Sequence, residues 1–236
     1  HNVSSAASDV YKRQEEDINL KNKKTDILDS LDLTYSLQKE EYKYTPLLKN
    51  LEKKFDLLKE NKDQISQKSY EEVAKFVNSK FYLISVDGYF KSELSNIPPK
   101  VKIKKYSELE REEKDTFENM YQKHDDSKSD FFSSLNSIIH EDCLTISVDS
   151  NTVLKEHITI ININENYDVT NYRKMIFCDK GSEISIFERF INLKSDENFS
   201  SSVTEIYQAE NSKLNYYSTQ DFKENYHYNS INVFQK

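Results

Sequence analysis

Ile176-Phe-Cys-Asp-Lys-Gly-Ser-Glu-Ile-Ser-Ile186 and Ile206-Tyr-Gln-Ala-Glu-Asn-Ser-Lys-Leu-Asn-Tyr216 superpose at a constant offset of 30 residues. Each copy has a short apolar strand, a polar corner and a second, alternating strand, with Gly181 set against Asn211 and Ser182 against Ser212. Gly and Asn are the residues that most easily take a positive φ, so the two corners are predicted to share one backbone conformation. Self-similarity at such a period marks stacked coils, none of which buries its apolar side alone.

Working outward, the same period-two pattern begins at Cys143. Leu144, Ile146 and Val148 alternate with polar neighbours, as do Ile158 and Ile160, then Ile184, Ile186 and Glu188. Short Asp, Asn, Ser and Gly corners separate the strands to the end, and no segment among them reads as a crossover helix, which argues against an ordinary α/β fold.

Before Cys143 the spacing is mostly helical. Leu48, Leu51, Phe55 and Leu58 share one helix face behind a Thr45-Pro46 start signal, and Ser69 with Glu72 reads as a capping box ahead of Val73, Phe76 and Val77. Phe81 to Val86 reads as a strand that Asp87-Gly88 returns as Tyr89 to Lys91, and Pro98-Pro99 leads into an extended Val101 and Ile103. Ser107 is expected to cap a charged helix to about Tyr121, and Asp130 another carrying Phe131, Leu135 and Ile138 or Ile139. Residues 1–14 differ in composition, and Asp9-Val-Tyr-Lys-Arg-Gln14 matches what a sequencing-library transposon end encodes, so they are expected to be a non-native or disordered tail. The expected organisation is this tail, a mainly helical region over 15–142 with a β-hairpin near 81–91, and a β-solenoid over 143–236. The fold class is α+β, with the solenoid a right-handed β-helix.

Composition narrows the function. With 36% hydrophobic and 31% charged residues the chain is polar, yet 16 Tyr and 13 Phe supply large apolar bodies to bury. Two Gly and three Pro leave little material for a Gly-rich phosphate loop, and a net charge of −8 makes no electrostatic case for nucleic acid or an anionic membrane. Lys21 to Lys24 and Lys100 to Lys105 are read as solvated faces. The best apolar run, Ile158 to Ile163, is far short of the roughly 20 residues that span a bilayer. Two cysteines make no disulfide framework, so a reduced, cytoplasmic protein is expected.

Candidate chemistry is sparse. Cys178 sits beside a repeat corner where its counterpart is Gln208, and with Cys143 distant in sequence it is read as structural. His124, His140, His157 and His227 lack zinc-ligand spacing. Glu188 and Glu205 are the carboxylates that a polysaccharide-acting β-helix would use, but the repeat does not align them, and they are read as projecting from solvated strand faces. The aromatic set Tyr207, Tyr216, Tyr217, Phe222, Tyr226 and Tyr228 suits sugar binding or, more commonly, stacking between coils or an assembly face. Ser200-Ser-Ser202 is read as a loop, and no Ser/His/Asp triad is proposed.

Four islands carry a family likeness: Glu40-Glu-Tyr-Lys-Tyr-Thr45, Val86-Asp-Gly-Tyr-Phe90 with Leu94-Ser95, Phe131 through Leu135-Asn136 to Glu141-Asp142, and Tyr172 to Gln220. In the last, Arg173-Lys-Met-Ile-Phe177, Ile186-Phe-Glu188, Val203-Thr-Glu-Ile206 and Asn211-Ser-Lys-Leu-Asn-Tyr-Tyr217 look like successive coils. In this order they resemble the SufB/SufD family of iron–sulfur cluster assembly scaffolds, SufD more than SufB. His157 and Ser202 stand where the family often has Pro and Asn, both at corners. The resemblance implies a non-catalytic scaffold subunit of a SUF-type assembly complex, working with a SufB-like subunit and a SufC-like ABC ATPase. That complex handles an iron–sulfur cluster, and its partner uses ATP. It also implies that the chain stops before the family's C-terminal part, where the cluster-assembly residues and the ATPase-docking segment lie. No catalytic, cofactor-binding or metal residue is therefore assigned here. The alternative is a right-handed β-helix enzyme or binding module acting on polysaccharide.

Overall fold

The computed structural model of the chain describes residues 18–30, 65–121, 131–140, 142–194, 197–222 and 225–236. These form an α+β architecture of two mixed five-stranded sheets and four α-helices. One sheet has the order β2 (Tyr89–Phe90), β1 (Phe81–Val86), β5 (Ile158–Asn164), β7 (Glu183–Asn192), β9 (Lys213–Asp221). The other runs β10 (Asn225–Gln235), β8 (Asn198–Gln208), β6 (Val169–Cys178), β4 (Cys143–Val148), β3 (Val101–Lys105). We call them the β1 sheet and the β6 sheet. From β4 to β10 successive strands alternate between the sheets, and each pairs in parallel with the strand two places on.

The 30-residue repeat is the hydrogen-bonding register itself. Ile176 pairs with Ile206 and Cys178 with Gln208 in the β6 sheet, while Glu183 pairs with Lys213 and Ile186 with Tyr216 in the β1 sheet. Gly181 and Asn211 have φ of 68° and 58°. Asn151 stacks above them at φ 60°, a third corner that the two-copy comparison did not include. Backbone bonds join the corners directly, Asn151 N–H to Lys180 O and Gly181 N–H to Glu210 O. A Cβ on Gly181 would lie 2.6 Å from Asn151 Oδ1, so this coil needs glycine for space as well as for φ.

Between the sheets, the half nearest these corners is filled by Leu83, Ile146, Ile158, Ile160, Ile176, Ile184, Ile186 and Ile206, all buried. Outside the β6 sheet lie helices α3 (Arg111–Met120) and α4 (Phe131–Ile139), with α1 (Ile18–Ser30) against them; Phe117, Tyr121 and Met175 form one apolar cluster, Phe132, Leu135 and Phe199 another. Outside the β1 sheet, α2 (Gln67–Phe76) puts Val73 and Phe76 on Ile161, Ile163 and Ile191. No described helix is long and apolar enough to cross a membrane.

The predicted hairpin is present, and β1 also runs parallel to β5 within the sheet. Three start signals differ from expectation or escape a test. α2 is capped by Ser66, whose Oγ accepts from Ser69 N–H, so the capping role falls one turn earlier than Ser69. Ser107 lies in a 3-10 turn, Tyr106–Glu108, because Glu108 accepts from Lys105 N–H and Tyr106 is buried; α3 starts after Glu110, boxed with Glu113. The Thr45-Pro46 helix, the Glu40 to Thr45 island and the Asp130 cap lie outside the described residues.

Candidate functional site

β6 carries Arg173 and Lys174 side by side. Successive strand residues face opposite sides, so one charge is delivered to each face of a sheet that is covered on both. Both are fully or almost fully buried, which requires a partner for each.

Lys174 points between the sheets, into the half of the interior away from the corners. Its Nζ lies 2.7 Å from Glu188 Oε1 on the opposite sheet and donates to Ser202 Oγ at 3.0 Å. Glu188 also accepts from Asn162 Nδ2 at 2.8 Å and from the Tyr216 hydroxyl at 2.5 Å. Burial, with Glu188 adding to it, pushes the Tyr216 hydroxyl well above its ordinary range, so it stays a donor. Nearby, Tyr172 donates to Asn164 Oδ1 at 2.8 Å, and Ser200 Oγ lies 2.7 Å from His227 Nδ1. The cavity beside Asn162, Tyr172 and Lys174 is about 10 Å³, room for one water at most.

Arg173 points outward, under the helices. It pairs with Glu205, donates to Ser137 Oγ on α4 at 2.7 Å and lies over the Tyr121 ring at 4.7 Å. Asn136, one residue before Ser137, donates to Ser201 Oγ at 2.7 Å. α4 is therefore docked by polar anchors as well as by Phe132 and Leu135. Asp87 and Gly88 form a further lock: Asp87 accepts from Glu165 N–H and Asn166 Nδ2, both at 2.8 Å, and a Cβ on Gly88 would lie 2.5 Å from Asn171 O.

Three readings from sequence are corrected here. Glu188 and Glu205 do not project from solvated faces; each is about 1% exposed and ion-paired, and they lie on different sheets facing different surroundings. Ser200, Ser201 and Ser202 are not a loop but buried residues of β8, each hydrogen-bonded to a different partner. The solvated reading of the lysine clusters fails for Lys24, which is buried with Nζ 3.4 Å from His140 O; Lys102 is half-exposed and paired with Asp149.

The remaining candidates stay apart. Cys178 faces the apolar interior, its thiol pushed up to about 12 by burial, while Cys143 belongs to the cluster under α3. Among the described residues no three His, Cys, Asp or Glu side chains gather as a metal group. His140 is buried near Lys24 and Arg173; His157 meets the Phe187 ring edge to face; His124 lies outside the described residues. Ser200 and His227 do meet, a contact that sequence spacing did not suggest. Burial first, and then Lys174, holds His227 down to about 3, a weak base, and its Nε2 has no hydrogen-bond partner among the described residues. Of the aromatic set, Tyr207 stacks between Phe177 and Phe234, and Tyr217 on Phe187, as expected for stacking along the repeat.

The arrangement is a closed network of buried charges and hydrogen bonds that ties strand to strand and sheet to sheet within an α+β fold. Residues 10–160 match the family model described as the SufBD protein N-terminal region, and residues 160–236 that of the SUF system FeS cluster assembly, SufBD core domain. The chain belongs to the SufB/SufD family of SUF-system iron–sulfur cluster assembly proteins. No curated protein matches it.

Proposed function

We propose that the chain is a SufD-like, non-catalytic scaffold subunit, working in the cytoplasm with a SufB-like subunit and a SufC-like ABC ATPase during iron–sulfur cluster assembly. The observation that carries this reading is the tiling of residues 10–236 by the two SufBD family regions in order. The structure supports it in kind. Strands that alternate between two sheets at a register of about 30 residues suit a right-handed β-solenoid, and the buried ion pairs tie its neighbouring strands together. In this reading the residues of the chain hold neither cluster nor nucleotide. ATP binding and hydrolysis in the partner reshape the scaffold pair where sulfur and iron combine.

The test is co-expression of the intact protein with a SufC-like ATPase and a SufB-like subunit, followed by size-exclusion chromatography. A stoichiometric complex, with ATP turnover only when the ATPase is present, is the expected result. Elution apart from both partners at micromolar concentration defeats the proposal.

A further inference from the structure

The cross-strand register lays out a second feature, independent of the family reading. On the outer face of the β6 sheet, Lys102 pairs with Ser147, Ser147 with Phe177, Phe177 with Tyr207, and Tyr207 with Phe234. These five residues form one straight row across five strands, roughly 19 Å long at the usual strand spacing. The row is the floor of a groove of about 700 Å³ roofed by α3, whose Thr116 and Met120 line it. The Tyr207 hydroxyl donates to Met120 O, which fixes roof to floor.

The two ends differ in chemistry. At one, Phe177, Tyr207 and Phe234 stack face to face, with centroids 5.4 and 4.6 Å apart and ring planes 16° and 10° from parallel. Rings stacked along the row turn their edges to the groove, and ring edges pair best with the face of another ring. At the other end Ser147 offers a hydroxyl beside Lys102 and Lys104, whose charges are matched by Asp149 and Glu113 at 2.9 and 2.7 Å. Glu112 and Asp179 also line the groove, so no surplus positive charge is left there for an anionic head, and the Ser147 hydroxyl favours an uncharged group that both donates and accepts hydrogen bonds.

We infer that this groove is a binding site for an elongated, uncharged aromatic small molecule, its ring faces over Phe177, Tyr207 and Phe234 and its hydroxyl- or amide-type head at Ser147. The volume falls in the range of small-molecule sites, and an apolar body with a few placed polar groups is their usual lining.

The probe is 4-hydroxybiphenyl, titrated against the full chain by ligand-observed NMR and calorimetry, with biphenyl-4-carboxylate as the ionic counterpart. Saturable binding of 4-hydroxybiphenyl, at least tenfold tighter than the carboxylate, is expected. Ser147→Ala should weaken it about 3- to 10-fold, the worth of one hydrogen bond. Thr116→Trp, at an accessible position where α3 lines the groove, should fill the groove and abolish binding while the circular-dichroism melt stays as in wild type. No saturation at 1 mM overturns the inference, as does binding that Thr116→Trp leaves intact; tighter binding of the carboxylate overturns the uncharged head.

Discussion

The space between the two sheets is filled in two different ways. Near the corners it is a column of isoleucines, where Ile160, Ile176, Ile186 and Ile206 belong to one apolar cluster. A few residues further along the same strands it holds Lys174, Glu188, Asn162, Ser202 and Tyr216 in mutual hydrogen bonds. The strands are the same, so the difference lies in how each half tolerates loss. An apolar column loses contacts roughly in proportion to the atoms removed, and neighbours relax into part of the gap. A buried ion pair fails at a single point, because removing one partner strands the other charge in a medium that does not solvate it.

The sharpest way to break this comparison is Glu188→Ala. It leaves the Lys174 ammonium buried beside two aromatic rings, 5.8 and 5.5 Å from the centroids of Tyr172 and Phe190, and it strips partners from Asn162 and Tyr216. The expected loss is about 3–5 kcal/mol by urea unfolding. Replacing both charges, with Lys174→Met and Glu188→Leu together, should recover most of it, since no unpaired charge remains. A single variant milder than Ile→Val would show that water reaches the network. In the apolar half Ile176→Ala should cost about 2–5 kcal/mol, and Ile176→Val only about 0.5–1.5, a graded response with no rescuing second site.

The corner beyond the apolar half gives a smaller and more local effect. Gly181→Ala asks an L-residue to hold φ at 68° and places a Cβ 2.6 Å from Asn151 Oδ1. A loss of about 1–3 kcal/mol is expected from the conformation and the contact together. Pairing it with Asn151→Gly, which removes the clashing side chain, should return part of that loss. No recovery would mean that φ alone sets the cost.

The apolar half was readable from sequence and the polar half was not. Isoleucines two apart with an Asx or Gly corner carry their periodicity locally, and a matching stretch 30 residues on fixes the register, as Ile176 with Ile206 shows. Asn151 followed the same rule but was missed, since the stretch before it was not aligned to the other two. Burial of Lys174 depends on Glu188, which arrives from the other sheet, and burial of Arg173 depends on Ser137 from a helix before the array. No window of one strand contains those partners. The usable signal was negative: an Arg-Lys pair within β6, whose neighbours include Tyr172, Met175 and Ile176, is foreign to a strand covered on both faces. The same limit explains Ser200 to Ser202, whose composition suits a loop until His227, Asn171 and Lys174 are brought to them.

The effect that appears only on acidification tests the polar half through a titration. His227 sits beside Ser200 with its imidazole held down to about 3 by burial and by Lys174, while in the unfolded chain it titrates near 6.5. Between those values the unfolded state binds more protons than the folded one, so stability falls as pH falls, by up to about 1.4 kcal/mol per pH unit. Above pH 7 neither state binds the proton and the contribution is flat. His140, lowered by burial and by Lys24 and Arg173, acts in the same direction. Asp142, raised by burial against the pull of Lys105, acts in the opposite one, because there the folded state holds the proton more tightly. The wild-type curve alone thus mixes signs, and the informative quantity is its difference from His227→Gln, whose amide oxygen still accepts from Ser200. That difference should be level from pH 8 to 7 and slope between pH 6 and 4, with the variant losing less stability on acidification. Parallel curves across that window would mean that His227 meets water in the folded state, and that the polar half is open at β10.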